Sequence, residues 1–204
     1  MMNCSSVIKK VGVFGGTFDP IHKGHIAVAR AVRDELKLDQ ILMVVNNDQW
    51  MRNDPVLASP DDRYKMVKLA LNGERNIEVS DVDIVRGGPT YTINTLVDLQ
   101  KSLGSMVKLH LIVGSDSAMS MHIWKNSEKI PELATIVTVG RPGEVFDTEL
   151  LDNFHPAKRA LYVVGPMLNV SATQIRNLKQ SNHSIKNLVT ESVDNYIKTQ
   201  KLYQ

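Results

Sequence analysis

Short apolar segments that alternate with segments of helical spacing constrain the fold of this 204-residue chain more than any other feature. The apolar segments have the length of buried strands and stop at glycine or polar residues. We predict strands at 10–14, 41–45, 107–113, 134–139 and 160–164, with one or two further strand pieces at 77–85. Strands that alternate with helices form right-handed βαβ units, so the pattern indicates a parallel sheet.

The intervening segments carry apolar residues at helical spacing and recognisable helix starts. We predict helices at 24–36, 60–71, 91–99, 171–178 and 189–197. Ser59 and Ser171 are expected N-caps, and Thr90 or Thr92 is expected to cap the third helix. The predicted fold class is therefore α/β: a Rossmann-like, doubly wound parallel sheet with C-terminal helices. We expect a single domain, with an α/β core at 9–165 and a C-terminal part at 166–204.

Composition excludes several classes of protein. A hydrophobic fraction of 43% and a charged fraction of 23% are ordinary for a globular chain and exclude a disordered one. A net charge of +2 argues against a dedicated nucleic-acid binder. The single cysteine, Cys4, excludes a disulfide framework and a cysteine-rich zinc site. With no membrane-length apolar run and no secretory signal, we expect a cytoplasmic protein with no membrane partner, and a homo-oligomer is left open.

Glycine and polar residues follow several of the predicted strands directly. They occur at 15–16, 46–47, 114–116 and 140–141. Because ligands bind at the carboxyl ends of the strands in open parallel sheets, these residues are expected to meet in one site. This convergence indicates an enzyme.

The first strand–helix junction, residues 15–25, reads Gly-Gly-Thr-Phe-Asp-Pro-Ile-His-Lys-Gly-His. It matches neither of the two commonest phosphate loops, but its glycines and the following helix N-terminus suit an anion. His22 and His25 could both face one phosphoryl group from the first helical turn. Alternatively, such a pair can be surface or capping residues, or half of a metal site, although no third ligand is evident nearby.

Two segments resemble the nucleotidyltransferase superfamily that carries a T/H-x-G-H motif. The junction at 15–25 is similar to its signature, and Val170-Ser-Ala-Thr-Gln-Ile-Arg176 is similar to its I-S-x-T-x-I-R motif, with Val170 in place of Ile. The resemblance implies that the second motif holds the β- and γ-phosphates of a nucleotide. On its own, the second segment would be read as a capped helix with a surface arginine.

The middle of the chain resembles one family of that superfamily, the nicotinate-nucleotide adenylyltransferases. The similar stretches are 86–96 and 112–117, followed by Trp124 and by Arg141-Pro-Gly. Asp61 to Tyr64 also match the family's acid/arginine helix start, to which we give a structural role. The segment 45–52 departs from the family pattern, because its prolines and histidine are absent. Arg52 keeps the basic position, and either this loop is mobile or Trp50 itself contacts substrate.

The resemblance implies transfer of AMP from ATP to nicotinate mononucleotide, with Mg²⁺ held largely by phosphates and waters and no protein metal site. The implied catalytic residues are His22, His25 and Arg176. The implied ATP-binding residues are Gly15, Gly16, Thr17, Phe18, His22, His25, Gly114, Asp116, Ser117, Ser171, Thr173 and Arg176. The implied substrate-binding residues are Asn46, Arg52, Tyr91, Thr92, Trp124 and Arg141.

The residues themselves agree with an acidic aromatic substrate. An indole such as Trp124 can stack on a pyridinium ring, and backbone N–H groups at Tyr91-Thr92 can hold its carboxylate. We also expect the arginines and the two histidines to form a locally cationic cleft. The rival interpretations are a pantetheine-phosphate adenylyltransferase, a glycerol-phosphate cytidylyltransferase, a non-catalytic nucleotide-binding protein and an RNA-binding α/β domain.

Overall fold

The computed structural model describes residues 8–49, 55–144 and 146–204 of the chain. Its strands are β1 (Lys9–Gly16), β2 (Gln40–Val45), β3 (Ile77–Ser80), β4 (Val107–Gly114), β5 (Ala134–Gly140) and β6 (Leu161–Val164). They form one parallel sheet in the order β3-β2-β1-β4-β5-β6. The predicted α/β class and doubly wound parallel sheet are confirmed.

Helices connect the strands and follow the sheet at the C-terminal end. The α-helices are α1 (Lys23–Leu36), α2 (Pro60–Ala70), α3 (Val82–Arg86), α4 (Thr92–Leu103), α5 (Ser115–Met119), α6 (Ile130–Leu133), α7 (Ala172–Gln180) and α8 (Glu191–Thr199). Short 3₁₀ helices lie at Met121–Ile123, Ser127–Lys129, Thr148–Leu150 and Pro156–Arg159. No helix within the described ranges is long and apolar enough to cross a membrane.

Three local predictions are wrong. Residues 82–86 form α3 instead of continuing the strand, because buried Asp83 accepts hydrogen bonds from Thr95 and Arg86. Gly15 and Gly16, expected to follow the first strand, belong to β1, since both pair in register with β2. The N-cap of α4 is Tyr91, and no side chain caps it.

The sheet separates two apolar cores, as a doubly wound fold requires. On one face, Ile41, Met43 and Val45 of β2 pack with α1, α2 and the C-terminal helices. On the other face, Leu42 and Val44 pack with α4 and α6. Consecutive residues of β2 therefore lie in different cores. The sheet order reverses between β1 and β4, which opens a crevice at their carboxyl ends.

Candidate active site

A cleft of about 460 Å³ lies at the carboxyl ends of β1 and β4, and we call it the β1–β4 cleft. It is lined by eleven of the residues that the sequence singled out: Gly15, Gly16, Thr17, Phe18, His25, Asn46, Tyr91, Thr92, Gly114, Ser117 and Trp124. The strand ends after β1, β2 and β4 therefore meet at a cavity of the size that small-molecule ligands occupy, whereas residues 140–141 after β5 do not line it.

Other candidate residues lie beside the cleft or away from it. His22, Asp116, Arg141, Ser171, Thr173 and Arg176 are not among the lining residues. Arg141 is exposed, and its backbone N–H donates to the Glu144 carboxylate. Arg52 and Trp50 lie outside the described residues.

Sequence reasoning missed several side chains that line the cleft. They are Asp19, Gln49, Asp83, Thr90, Thr95, Ser120 and Lys125. Thr90, Thr95 and Asp19 lie within the motif stretches 86–96 and 15–25, so their place beside assigned residues could have predicted that they line the cleft. Lys125 directly follows Trp124, whereas no pattern in the sequence connects Gln49 with the Thr17 side chain to which it is hydrogen-bonded.

His25 is held in one tautomer by the start of α1. His22 is the N-cap of α1 in an extended conformation, and its backbone N–H donates to Nδ1 of His25 at 3.2 Å. Because Nδ1 of a neutral imidazole that accepts a hydrogen bond carries no proton, the proton of His25 is on Nε2. The ring also packs edge-on against Phe18, with centroids 5.0 Å apart. His25 therefore offers an N–H donor from a fixed ring that lines the cleft.

Both histidines are neutral at pH 7. Their rings stack with centroids 3.6 Å apart. Burial lowers the pKa of His22 to about 4, and burial together with the neighbouring His22 ring holds the pKa of His25 well below its usual value. The expectation that the two histidines add positive charge to the cleft is therefore wrong, because sequence spacing does not report desolvation.

Two glycines allow the motif to pack closely around these rings. A Cβ atom on Gly16 would lie 2.9 Å from ring atoms of Phe18. A Cβ atom on Gly24 would lie 2.9 Å from Val170 Cγ1 and 3.0 Å from His22 Nδ1. Gly24 thus lets the segment before α7 approach the start of α1, and brings the two sequence motifs into contact.

The low pKa of His22 predicts an acid-sensitive fold. Well above pH 6.5 the imidazole is neutral in both folded and unfolded chains. As the pH falls from 6.5 towards 4, the unfolded chain binds a proton that the folded chain excludes, so the free energy of unfolding decreases. Urea denaturation at pH 7, 6 and 5 should show a smaller decrease for His22→Gln than for the wild type. Parallel pH dependences of the two proteins would contradict the assignment.

The C-terminal motif meets the first motif through Arg176. Ser171 caps α7 by accepting a hydrogen bond from Gln174 N–H at 3.1 Å, as predicted. Arg176 is 7% exposed and donates to the backbone carbonyl of Asp19 at 2.9 Å and to Thr173 Oγ1 at 3.2 Å. A guanidinium has five N–H donors, so these two bonds orient the group and leave donors for a ligand.

Arg63 holds together the loops that follow β1 and β2. It is 1% exposed and donates to the carbonyls of Thr17, Asn46, Asn47 and Ala58. The sequence prediction gave this arginine a structural role. Its bonds show the nature of that role: one side chain fixes both loops at the edge of the β1–β4 cleft.

The start of α4 and Trp124 line one part of the cleft, which we call the Tyr91 end. No side chain caps α4, and both its N-cap residue Tyr91 and its first residue Thr92 line the cleft. Thr90, one of the expected caps, instead accepts a hydrogen bond from Asn47 N–H at 3.0 Å. Lys125 places its ammonium 4.1 Å from the centroid of the Tyr91 ring. The Tyr91 end combines a helix N-terminus without a side-chain cap, aromatic surface and a positive charge.

Comparison with known proteins gives a consistent result. The sequence profile of the cytidylyltransferase-like family matches residues 13–178. A relative from Salinispora arenicola named as a nicotinate-nucleotide adenylyltransferase is 38% identical over 190 residues, which cover 93% of this chain and 99% of the relative. A relative of the same name from Dehalococcoides mccartyi is 36% identical over 95% of this chain and 97% of its own length.

A solved structure has the same fold. The Plasmodium falciparum nicotinic acid mononucleotide adenylyltransferase, solved in complex with NaAD, superposes with a TM-score of 0.73. The match covers 96% of this chain and 97% of that one at 21% sequence identity. At this level of identity the likeness supports the fold class.

Proposed function

Because this chain belongs to the nicotinate-nucleotide adenylyltransferase family, we propose that the β1–β4 cleft transfers AMP from ATP to nicotinate mononucleotide. The products are deamido-NAD (nicotinate adenine dinucleotide) and pyrophosphate, and the reaction is a step of NAD biosynthesis. The observation that carries this assignment is the placement in one cleft of a fixed His25 N–H donor and of the α4 N-terminus, which no side chain caps.

The chemistry requires positioning rather than a general base. The phosphate of the mononucleotide is an anion at neutral pH and can attack the α-phosphorus of ATP in line. Negative charge then builds on the α-phosphoryl oxygens as pyrophosphate leaves. His25 Nε2–H is proposed to donate a hydrogen bond to one of these oxygens. A neutral donor in a preorganised site stabilises that charge without reorganisation during the reaction. His22 is proposed to assist from its stacked position.

The remaining assignments follow the two motifs. We place the β- and γ-phosphates against Arg176, Ser171 and Thr173, with the backbone of 15–18 beneath the phosphates. Gly114 and Ser117, which line the cleft, and Asp116 between them are assigned to the ribose and adenine side. Asn46, Arg52 and Arg141 are assigned to the mononucleotide.

Mg²⁺ is proposed to accompany ATP. In the described part of the chain, no group of three or more His, Cys, Asp or Glu side chains is placed to hold a metal ion. Asp19 belongs to the cleft lining but is only 1% exposed, and its carboxylate already accepts hydrogen bonds from Leu57, Ala58 and Tyr203. An Mg²⁺ ion in this cleft would therefore be held chiefly by phosphate oxygens and waters, and it would neutralise part of the phosphate charge.

The Tyr91 end is proposed to select the acid over the amide. A carboxylate on the pyridine ring can accept hydrogen bonds from the first N–H groups of α4, while Trp124 stacks on the ring. Lys125 adds a positive charge at this end, although sequence analysis did not single it out. A carboxamide gains neither the charge attraction nor the helix-dipole stabilisation, so nicotinamide mononucleotide should be the poorer substrate.

Lys125→Met tests the charge at this end. We expect kcat/KM for nicotinate mononucleotide to fall by about fivefold, which corresponds to the free energy of one partly exposed charge interaction. The kcat/KM for nicotinamide mononucleotide should change little. Lys129→Met, an exposed lysine that does not line the cleft, is the matched control. Equal use of both mononucleotides by the wild type would refute the carboxylate assignment.

Pyrophosphate release from ATP with a panel of acceptors tests the function itself. The acceptors are nicotinate mononucleotide, nicotinamide mononucleotide and phosphopantetheine, with CTP and glycerol phosphate as the cytidylyltransferase pair. We expect the highest kcat/KM with nicotinate mononucleotide. Turnover of another acceptor in its place would favour a different transferase, and ATP binding without turnover of any acceptor would favour a non-catalytic nucleotide-binding protein.

A further inference from the structure

The penultimate residue of the chain is buried beside the first sequence motif. Tyr203 is 6% exposed, and its hydroxyl donates to Asp19 Oδ1 at 2.6 Å across 184 residues of sequence. Burial, and the negative charge of Asp19, raise the pKa of the Tyr203 hydroxyl. The hydroxyl therefore stays protonated and remains a donor at any working pH.

Helix α8 carries Tyr203 to this position. Val193 and Ile197 of α8 are fully buried in the core beneath β2. After α8 ends, the N–H of Leu202 donates to the carbonyl of Ile197 at 3.0 Å, and Tyr203 adopts a left-handed backbone conformation with φ of 61°. The C-terminal turn is thus fixed by packing and hydrogen bonds, and it directs the Tyr203 ring inward.

Asp19 connects Tyr203 to the rest of the site. This residue is 1% exposed, and its carboxylate also accepts from the backbone N–H groups of Leu57 at 2.9 Å and Ala58 at 3.2 Å. Its own backbone carbonyl is the acceptor that orients Arg176. A buried carboxylate has no water to replace a lost donor, so each of its hydrogen bonds contributes to where the residue sits.

We propose that Tyr203 is a positioning residue for the ATP side of the site. The Tyr203 hydroxyl holds Asp19 in place, and it thereby positions the backbone carbonyl of Asp19 to which Arg176 donates. The inference deepens the proposed function, because it rests on Arg176 binding the β- and γ-phosphates. Tyr203 itself does not line the β1–β4 cleft.

The chain supplies a matched control for the test. Tyr196 on α8 also donates its hydroxyl to an aspartate, Asp62 Oδ1, at 2.7 Å. That bond joins α8 to α2 and does not involve the first motif. Tyr203→Phe and Tyr196→Phe therefore each remove one hydroxyl donor to a carboxylate from the same C-terminal segment.

We expect kcat/KM for ATP to fall about tenfold or more in Tyr203→Phe. This factor corresponds to the free energy of one hydrogen bond to a charged group. The KM for nicotinate mononucleotide should stay within about twofold of the wild type. Tyr196→Phe should leave both parameters within about twofold, and its loss of thermal stability should not exceed that of Tyr203→Phe, because the Tyr196–Asp62 bond is only partly buried. In an Arg176→Ala background, Tyr203→Phe should have little further effect on the ATP parameters, because the two residues act in series.

Several outcomes would overturn the proposal. They are equal kinetic effects of the two tyrosine variants, equal losses for both substrates in Tyr203→Phe, or full additivity with Arg176→Ala. Calorimetric titration of ATP into the wild type and both variants keeps the test independent of turnover. If the wild type binds ATP but turns over no acceptor, the proposed reaction fails, while weaker ATP binding by Tyr203→Phe alone would still support the positioning role.

Discussion

Replacing His25 by alanine is expected to lower kcat at least about 100-fold. Removal of one positioned donor to developing negative charge costs this much in other enzymes. The His25 ring is well placed for the role because the His22 N–H fixes its tautomer and Phe18 fixes its plane. Steady-state assays with saturating ATP and nicotinate mononucleotide measure the effect. Near-normal turnover would contradict the assignment of His25 as the donor.

Two further variants separate loss of the donor from loss of structure. His183→Ala removes an exposed histidine at the end of α7 that does not line the cleft, and it should retain kcat. His25→Gln keeps a side-chain N–H donor and should retain more activity than His25→Ala. If both His25 variants lose activity equally and also melt at a much lower temperature, the histidine is structural.

The neutral state of His25 adds a pH criterion. Its pKa is held well below the usual value, by burial first and by His22 second, so the donor form is unchanged between pH 8 and pH 6. Any fall in kcat over that range must then come from another group, such as the phosphate of the mononucleotide. If the wild-type kcat followed a titration near pH 6.5 and the kcat of His25→Gln did not, a cationic His25 imidazole would take part in the reaction.

The sequence was most informative where one local pattern determines the outcome. Apolar runs predicted the strands because strands buried on both faces need continuous apolar segments. The strand ends then predicted the edge at which the cleft lies, and Ser59 and Ser171 capped their helices as expected. These features depend on residues within a few positions of one another.

The sequence was least informative where burial or distant contacts decide. Val82, Ile84 and Val85 favour a strand by their own preferences, but the buried Asp83 hydrogen bonds stabilise a helical turn. The charge state of the histidines depends on burial, which sequence spacing does not report. The 184-residue separation between Tyr203 and Asp19 leaves no local pattern to find.

Arg63→Met is expected to cause the largest loss of stability among the substitutions considered for this chain. The guanidinium is 1% exposed and is shared among the carbonyls of Thr17, Asn46, Asn47 and Ala58. Methionine fills much of the volume but leaves these buried acceptors without their donor. Breaking such a buried charged network costs about 3–5 kcal/mol, a large part of the 5–15 kcal/mol typical of a folded domain.

Equilibrium urea denaturation of three variants distinguishes loss of this network from loss of a positive charge. Arg63→Lys keeps the charge but has no planar fork, so we expect its unfolding free energy to lie between those of the wild type and Arg63→Met. Arg159→Met removes an exposed arginine and should change the unfolding free energy by less than about 0.5 kcal/mol. Because Arg63 fixes the loops after β1 and β2 at the edge of the cleft, Arg63→Lys should also weaken ATP binding at temperatures where it is fully folded. A fully stable Arg63→Met would show that the hydrogen bonds of Arg63 are not needed to hold these loops.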